Sequence, residues 1–426
     1  MDLNQNTLFL FITYWLQSNV MAHAAKLFLL MMLVVSSKAH SLTFEQAISR
    51  INNHNKVKVL TLESKSLEKL GKSHASWGDP MFKVAAKNFP KDSFAHDRSP
   101  MTGIEFSISQ KIPLSANRSH LEESSILAGK AKYWDSLHER NKLYKLLWSH
   151  AVEIKKLTQQ KKIVDENIKW INKIITVSKN LYANGKVSQQ AILDLQIRKS
   201  ELRTMLINIK FDIKTENNNL KYLVGDTKSS LDLGSVPWQI LKISAKKVAK
   251  TDNKELSLHS SLKSKSSMLL ANGSAFVPDV TFGAGYTKRA NIDGHGDFVT
   301  ITAQIPIPVS NRRGADYEKA AYDKMALAQR LLDYKNKKKI DLVSLDIKKK
   351  RLDSEIDILQ SESISFAKNA RKITAKAYQL GTATYVALLQ SELKLQNLLL
   401  KNAHLVAKRS LNILELKFLI GEKLYD

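Results

Sequence analysis

The residues best suited to chemistry lie in Asp293-Gly294-His295-Gly296-Asp297, where two carboxylates and an imidazole fall within five positions. Hard oxygen donors beside an imidazole suit a divalent cation. The same residue types are also ordinary turn formers between two strands, and the flanking sequence favours the turn. His96 lies in a matching loop and adds little to a metal reading. The other His of the eleven are scattered, with no His-x-x-x-His pair. The chain has no Cys, which excludes thiol nucleophiles, disulfides, Fe–S clusters, Cys-based zinc sites and a lipid-modified N-terminal cysteine. Gly283-Ala284-Gly285 is no phosphate loop, because Lys288 follows too early and no helix begins there. With no nucleophile elbow and no partnered carboxylate pair, the expectation is a protein that is not an enzyme and needs no cofactor and no metal.

Behind these residues stand elements of unusual length. Residues 115–235 hold no proline, and residues 315–380 hold neither Pro nor Gly. Apolar residues recur at helical spacing through both stretches, as in Leu143, Leu146, Leu147, Val152 and Ile154, and in Leu342, Leu345, Leu352, Ile356 and Leu359. A helix of that length runs about 100 Å, against about 30 Å for a small domain. Such helices must form a bundle, a coiled coil or a tube. A first helix is expected across 42–75, opened by a Thr43/Gln46 capping box. Two short islands alternate with period two instead. Phe82, Val84 and Ala86 alternate with Lys83, Ala85 and Lys87, and Ile104, Phe106 and Ile108 with Glu105, Ser107 and Ser109. Residues 279–286 and 299–305 do the same. Each island reads as a β-hairpin, over 81–114 and 278–309, with polar loops at 90–102 and 288–297.

The chain also repeats. Residues 182–226 align with 378–422 at an offset of 196, pairing Tyr182 with Tyr378, Gly185 with Gly381, Leu202 with Leu398 and Gly225 with Gly421. Upstream, Ile112-Pro113-Leu114-Ser115 matches Ile307-Pro308-Val309-Ser310 at an offset of 195, and Arg118 falls on Arg313. The organisation is therefore a first repeat at 42–225, a connector at 226–244 and a second repeat at 245–426, with helical turns near 185 and 381.

Residues 1–41 read as an export signal, with the true start at Met1 or Met21. Lys26 precedes the apolar run 27–35, and small residues lead to cleavage after Ser41. Nine apolar residues are too few to span a bilayer, which takes about 20. No later segment is long and apolar enough either. The strands, however, have the length of a bilayer crossing, about 9–11 residues. A sheet in lipid must close on itself, and the smallest membrane barrels have eight strands. Four strands per chain cannot close, whereas three chains supply twelve.

Several motifs, taken in order, carry a family resemblance: Leu42-Thr43-Phe44-Glu45-Gln46-Ala47, Pro278-Asp279-Val280-Thr281-Phe282-Gly283-Ala284-Gly285-Tyr286, Ile305-Pro306-Ile307-Pro308-Val309 before Arg312-Arg313-Gly314, two Tyr-x-x-Gly turns and two Leu-x-Gly helix ends. Across 42–424 the chain resembles the TolC-type outer-membrane efflux channels of Gram-negative bacteria, nearest to the shorter CzcC-like heavy-metal branch. The resemblance implies a mainly α fold with a small β part: a trimeric 12-stranded outer-membrane barrel continuing into a long periplasmic α-helical barrel. It implies a passive duct of a tripartite efflux or type I secretion system, in contact with outer-membrane lipid. Its implied partners are a periplasmic adaptor (a membrane fusion protein) and an inner-membrane RND or ABC pump. It places an adaptor-docking tip at Tyr182, Gly185, Lys186, Val187 and Ser188 and at Tyr378, Gly381, Thr382, Ala383 and Thr384. Relatives often carry Asp six residues after each turn glycine and Arg two after the second. Ala191, Ala387 and Ala383 stand there in this chain. The gate is therefore expected to close by packing and neutral contacts, with Asp194, Tyr378 and Gln390 as its residues. Lys83 and Lys87 are expected to line the barrel lumen and lean it towards anions.

The charge admits another class. Lys and Arg number 66 against 40 Asp and Glu, for a formal net charge of +26. Runs such as Lys335-Asn336-Lys337-Lys338-Lys339 would suit a long basic coiled coil binding nucleic acid or acting as a scaffold. Neither the export signal nor the paired β islands serve such a protein, and no nucleic-acid partner is expected. A periplasmic adaptor would show a larger β part after a single helical hairpin. Cargo, whether metal ion, drug, dye or peptide, is not encoded in these patterns.

Overall fold

A computed structural model describes residues 41–225, 230–242, 252–307 and 309–425. The export signal lies outside the described residues except for Ser41, and so does part of the connector. The chain opens with a short strand β1 (Ser41–Leu42), followed by α1 (Phe44–Asn52) and α2 (Asn55–Ala75). The Thr43/Gln46 capping box forms, with Thr43 accepting from the Gln46 amide and Gln46 from the Thr43 amide. The single helix expected here is two helices. The run Asn52-Asn53-His54-Asn55 competes for backbone hydrogen bonds, and His54 Nδ1 accepts from the Lys56 amide at 3.2 Å to start α2 afresh.

The hairpin β2 (Met81–Lys87) and β3 (Gly103–Ile112) leads into α3 (Asn117–Ala183), an unbroken helix of 67 residues. At 1.5 Å per residue it is about 100 Å long. A turn at Gly185 returns the chain through α4 (Gln189–Val224). The connector adds β4 (Ser230–Leu231), which pairs in parallel with β1. Then come α5 (Asn253–Ser274), the hairpin β5 (Val280–Arg289) and β6 (Phe298–Gln304), and α6 (Arg312–Ile358). Strand β5 runs two residues further than the loop at 288–297 allowed, to Arg289. Helix α6 passes through a π-helical turn, Leu359–Ser363, into α7 (Ile364–Gln379), and a turn at Gly381 leads to α8 (Tyr385–Leu419).

The π turn explains a detail of the repeat. The two halves are offset by 195 residues before the long helices and by 196 after them, so the second rod carries one extra residue. A π turn absorbs a single insertion without rotating the rest of the helix off its face. The downstream turns therefore stay in register.

Helix α3 is the spine, packed against α2, α4, α5 and α8. Where α2 and α5 cross it the residues are small. A Cβ at Gly129 would stand 2.9 Å from the Ser64 carbonyl, and Ser124 and Ser264 exchange side-chain to backbone hydrogen bonds of 2.9 and 2.7 Å. Three cores lie along the rods. The first surrounds β1 and β4 and buries Phe44, Tyr144, Leu147, Trp148 and Leu424. The second fills the turn end of α3 and α4, and the third joins α6, α7 and α8. No described helix is long and apolar enough to cross a membrane.

Candidate functional site

The two hairpins form one antiparallel sheet in the order β2-β3-β5-β6, so β2 and β6 each keep an unpaired edge. Register decides the chemistry of its faces. Lys83 pairs with Ser107, Ser107 with Gly285, and Gly285 with Thr300. One face therefore carries Lys83, Lys87, Glu105, Ser107, Ser109, Thr287, Thr300 and Thr302, with glycines in the middle strand. The opposite face carries Phe82, Val84, Phe106, Ile108, Phe282, Tyr286, Val299 and Ile301. That face is uncovered within the chain, with Ile301 82% and Val299 76% exposed. An apolar face of this extent on a folded chain marks a partner or a lipid.

Both sequence-chosen lysines lie on the polar face. Lys83 is exposed and has no ion-pair partner among the described residues. Lys87 differs from expectation, because its ammonium pairs with the Glu105 carboxylate on the same face. The positive lean assigned to this pair thus reduces to Lys83. The sequence shows Glu105 but not that register sets it diagonal to Lys87.

At the far end of the strands, the candidate metal loop is engaged otherwise. The Arg289 guanidinium holds Asp293 at 2.9 and 3.1 Å, donates to the carbonyls of Pro100 and Gly296, and lies over the Phe298 ring. Asp297 accepts from the Tyr286 hydroxyl, the Arg289 amide and Lys288, which together hold its pKa down at about 2. Among the described residues no group of three or more His, Cys, Asp or Glu is placed to hold a metal.

The two helical turns are built alike. The Lys186 amide reaches back to the Leu181 carbonyl at 2.8 Å, and the Thr382 amide to Ala377 at 2.9 Å. Gly185 (φ +69°) and Gly381 (φ +76°) take the left-handed conformation that such a cap demands. A Cβ on Gly381 would lie 3.7 Å from Lys186 Cδ, so the two turns are neighbours in one surface. Tyr182, Lys186, Ser188, Thr382 and Thr384 are exposed there. Val187 and Ala383 pack inward, and Thr384 caps α8 through the Ala387 amide.

The residues expected at a gate divide. Tyr378 is fully buried, and its hydroxyl bonds Ser178 Oγ of α3 at 2.7 Å. It joins the two helical hairpins from inside rather than presenting its ring at a surface. Asp194 accepts from Gln190 at 2.8 Å and from the Tyr385 hydroxyl, which raises that phenol's pKa. Gln390 is exposed and lines a groove of about 680 Å³ with Phe366, Ala370 and Lys394.

One turn of helix further in lies a polar cluster absent from the sequence reading. The Arg371 guanidinium meets buried Glu392 at 3.2 Å, and Arg198 of α4 donates to buried Gln396 of α8. Burial raises the Glu392 pKa, opposed by Arg371 and Arg198. The available signal was Glu392 itself, a charge on the same helical face as Leu388 and Leu395.

No protein-family model and no curated protein matches the sequence. Solved structures do match. The outer membrane protein VceC from the bacterial pathogen Vibrio cholerae superposes with a TM-score of 0.73 at 14% identity, over 89% of this chain and 96% of that one. The outer-membrane channel OprN gives 0.74 at 12% identity, over 91% and 94%. The Campylobacter jejuni CmeC outer membrane channel gives 0.71 at 12%, over 88% and 85%. The chain therefore has the fold of the TolC-type outer-membrane channels, and it has it over nearly its whole described length.

Proposed function

We propose that this chain is one protomer of a passive, homotrimeric export channel of a Gram-negative outer membrane. Three sheets join edge to edge, β6 of one protomer beside β2 of the next, into a twelve-stranded barrel. The helical rods continue from it into the periplasm as a tunnel. One observation carries the reading: a four-stranded sheet with two unpaired edges, apolar on one face and polar on the other, mounted on rods about 100 Å long. Exposed Trp77 and Phe276 lie where the strands meet the helices, which suits aromatic residues at a membrane boundary. A nucleic-acid scaffold has no use for such a sheet.

The turn surface around Gly185 and Gly381 docks a periplasmic adaptor, which connects the duct to an RND or ABC pump of the inner membrane. Small molecules or metal ions pass, and the duct performs no chemistry. The resting gate is the end of the two helical hairpins, held by Tyr378–Ser178 and Tyr385–Asp194 and lined by Gln390. Heat-resistant trimers in the outer-membrane fraction are the expected outcome, and a soluble monomer overturns the reading. In planar bilayers, Asp194→Ala and Gln390→Ala raise single-channel conductance. Unchanged conductance in both removes the gate assignment.

A further inference from the structure

Resting on the channel reading, we infer that the helical tip is built for an acidic docking surface, so that the protein it meets presents Asp and Glu to it. Residues 169–199 and 365–396 together hold eleven Lys and Arg but only two carboxylates. Both carboxylates are spoken for. Asp194 binds Gln190 and Tyr385, and Glu392 is buried against Arg371.

Most of the cations, in contrast, are outside. Lys173, Lys179 and Lys186 on the first hairpin and Lys368, Lys372 and Lys376 on the second are all exposed, and none has an ion-pair partner among the described residues. The two turns form one surface, so their charges add. Like charges within about 8 Å of one another are not screened away at physiological salt. Three protomers around one axis would concentrate them further. The centre of the patch is apolar, with Leu380 66% and Tyr182 47% exposed. Apolar anchors inside a charged rim are the anatomy of a protein interface.

A membrane surface fits less well. From Lys169 to Lys186 the cations climb about 25 Å along the rod. A plane of headgroups meets only the last turn, whereas a protein wall alongside the hairpins meets the whole column. The positions where relatives place Asp and Arg hold Ala191, Ala387 and Ala383 here, so little else on the tip supplies charge recognition.

The test uses the full-length protein in cells, with a photo-crosslinking residue at position 382. It is compared with the same protein carrying Lys186→Glu, Lys372→Glu and Lys376→Glu, once both are shown to form heat-resistant trimers. The expected result is a crosslinked segment of net negative charge, lost at least tenfold on reversal and regained when the captured acids are changed to Lys. A neutral or basic captured segment, no crosslink from membrane-embedded trimers, or a yield indifferent to reversal overturns the inference while leaving the channel reading standing. Flotation of purified trimers with phosphatidylglycerol vesicles, abolished by the same reversal, also overturns it by making lipid the ligand. Absence of trimers from the outer membrane instead sinks the channel reading itself.

Discussion

Ile301→Arg tests which side of the sheet meets lipid. Ile301 is the central residue of β6 and pairs with Ala284 in the middle of the ten-residue β5. Ten residues at 3.4 Å give about 34 Å of strand. A tilt of about 40° leaves roughly 26 Å of height, close to the apolar band of membrane barrels. Ile301 then lies near the bilayer midplane, where an Arg facing lipid costs about 2–4 kcal/mol. In the proposed trimer, three copies would make the cost about 6–12 kcal/mol, or at least about 10⁴-fold in the folding equilibrium. Thr300→Arg moves the same side chain one residue along and onto the polar face, opposite Gly285, which carries no side chain. Urea-unfolded protein is refolded into phosphatidylcholine vesicles and scored by heat-modifiable migration and protease protection. Ile301→Arg fails to insert and Thr300→Arg inserts like the parent. Equal insertion of both variants, or a greater defect in Thr300→Arg, refutes the assignment of faces.

Three further outcomes follow from other parts of the molecule. Gly381→Ala forces a side chain into the left-handed region and costs about 1–2 kcal/mol locally, seen as faster proteolysis at the turn with the four-stranded sheet intact. Trp148→Phe keeps the packing on Phe44 but strands the Leu424 carbonyl that the indole binds at 2.7 Å. That loses about 1–3 kcal/mol and lowers the midpoint of thermal unfolding of the helical part. Burial, aided by Lys142 and Lys254, lowers the His138 pKa from 6.5 to about 4. The unfolded state therefore takes up the proton first, so stability is full above about pH 6.5 and falls as pH drops towards 4. Allowing for the partly solvated ring, the loss is about 2 kcal/mol. His138→Gln flattens that part of the pH–stability curve, and an unchanged slope refutes the assignment.

Much of the architecture was legible because it rests on local periodicity. The 3.6-residue spacing marks α3 and α6, the two-residue alternation marks all four long strands, and the glycines at 185 and 381 mark turns that need positive φ. The break at Asn53–His54 was not legible, because the apolar spacing continues across it and only the competition of four polar side chains interrupts the helix. The candidate site residues could be named from the sequence, but their contacts could not. Lys87 reads as a free cation until the ladder sets it near Glu105, and Tyr378 reads as a surface aromatic until α3 brings Ser178 against its hydroxyl.

By itself, the sequence determined a duplicated chain of long helices with two amphipathic hairpins, since repeat offset, period and turn chemistry are properties of neighbours along the chain. The pairing of β3 with β5, which merges the two hairpins into one sheet with a single continuous apolar face, was decided only by the tertiary structure. So were the joining of the two turns into one cationic surface and the burial of Glu392 between α7 and α8. Those features bring together residues up to about two hundred positions apart, and no local pattern encodes such a meeting.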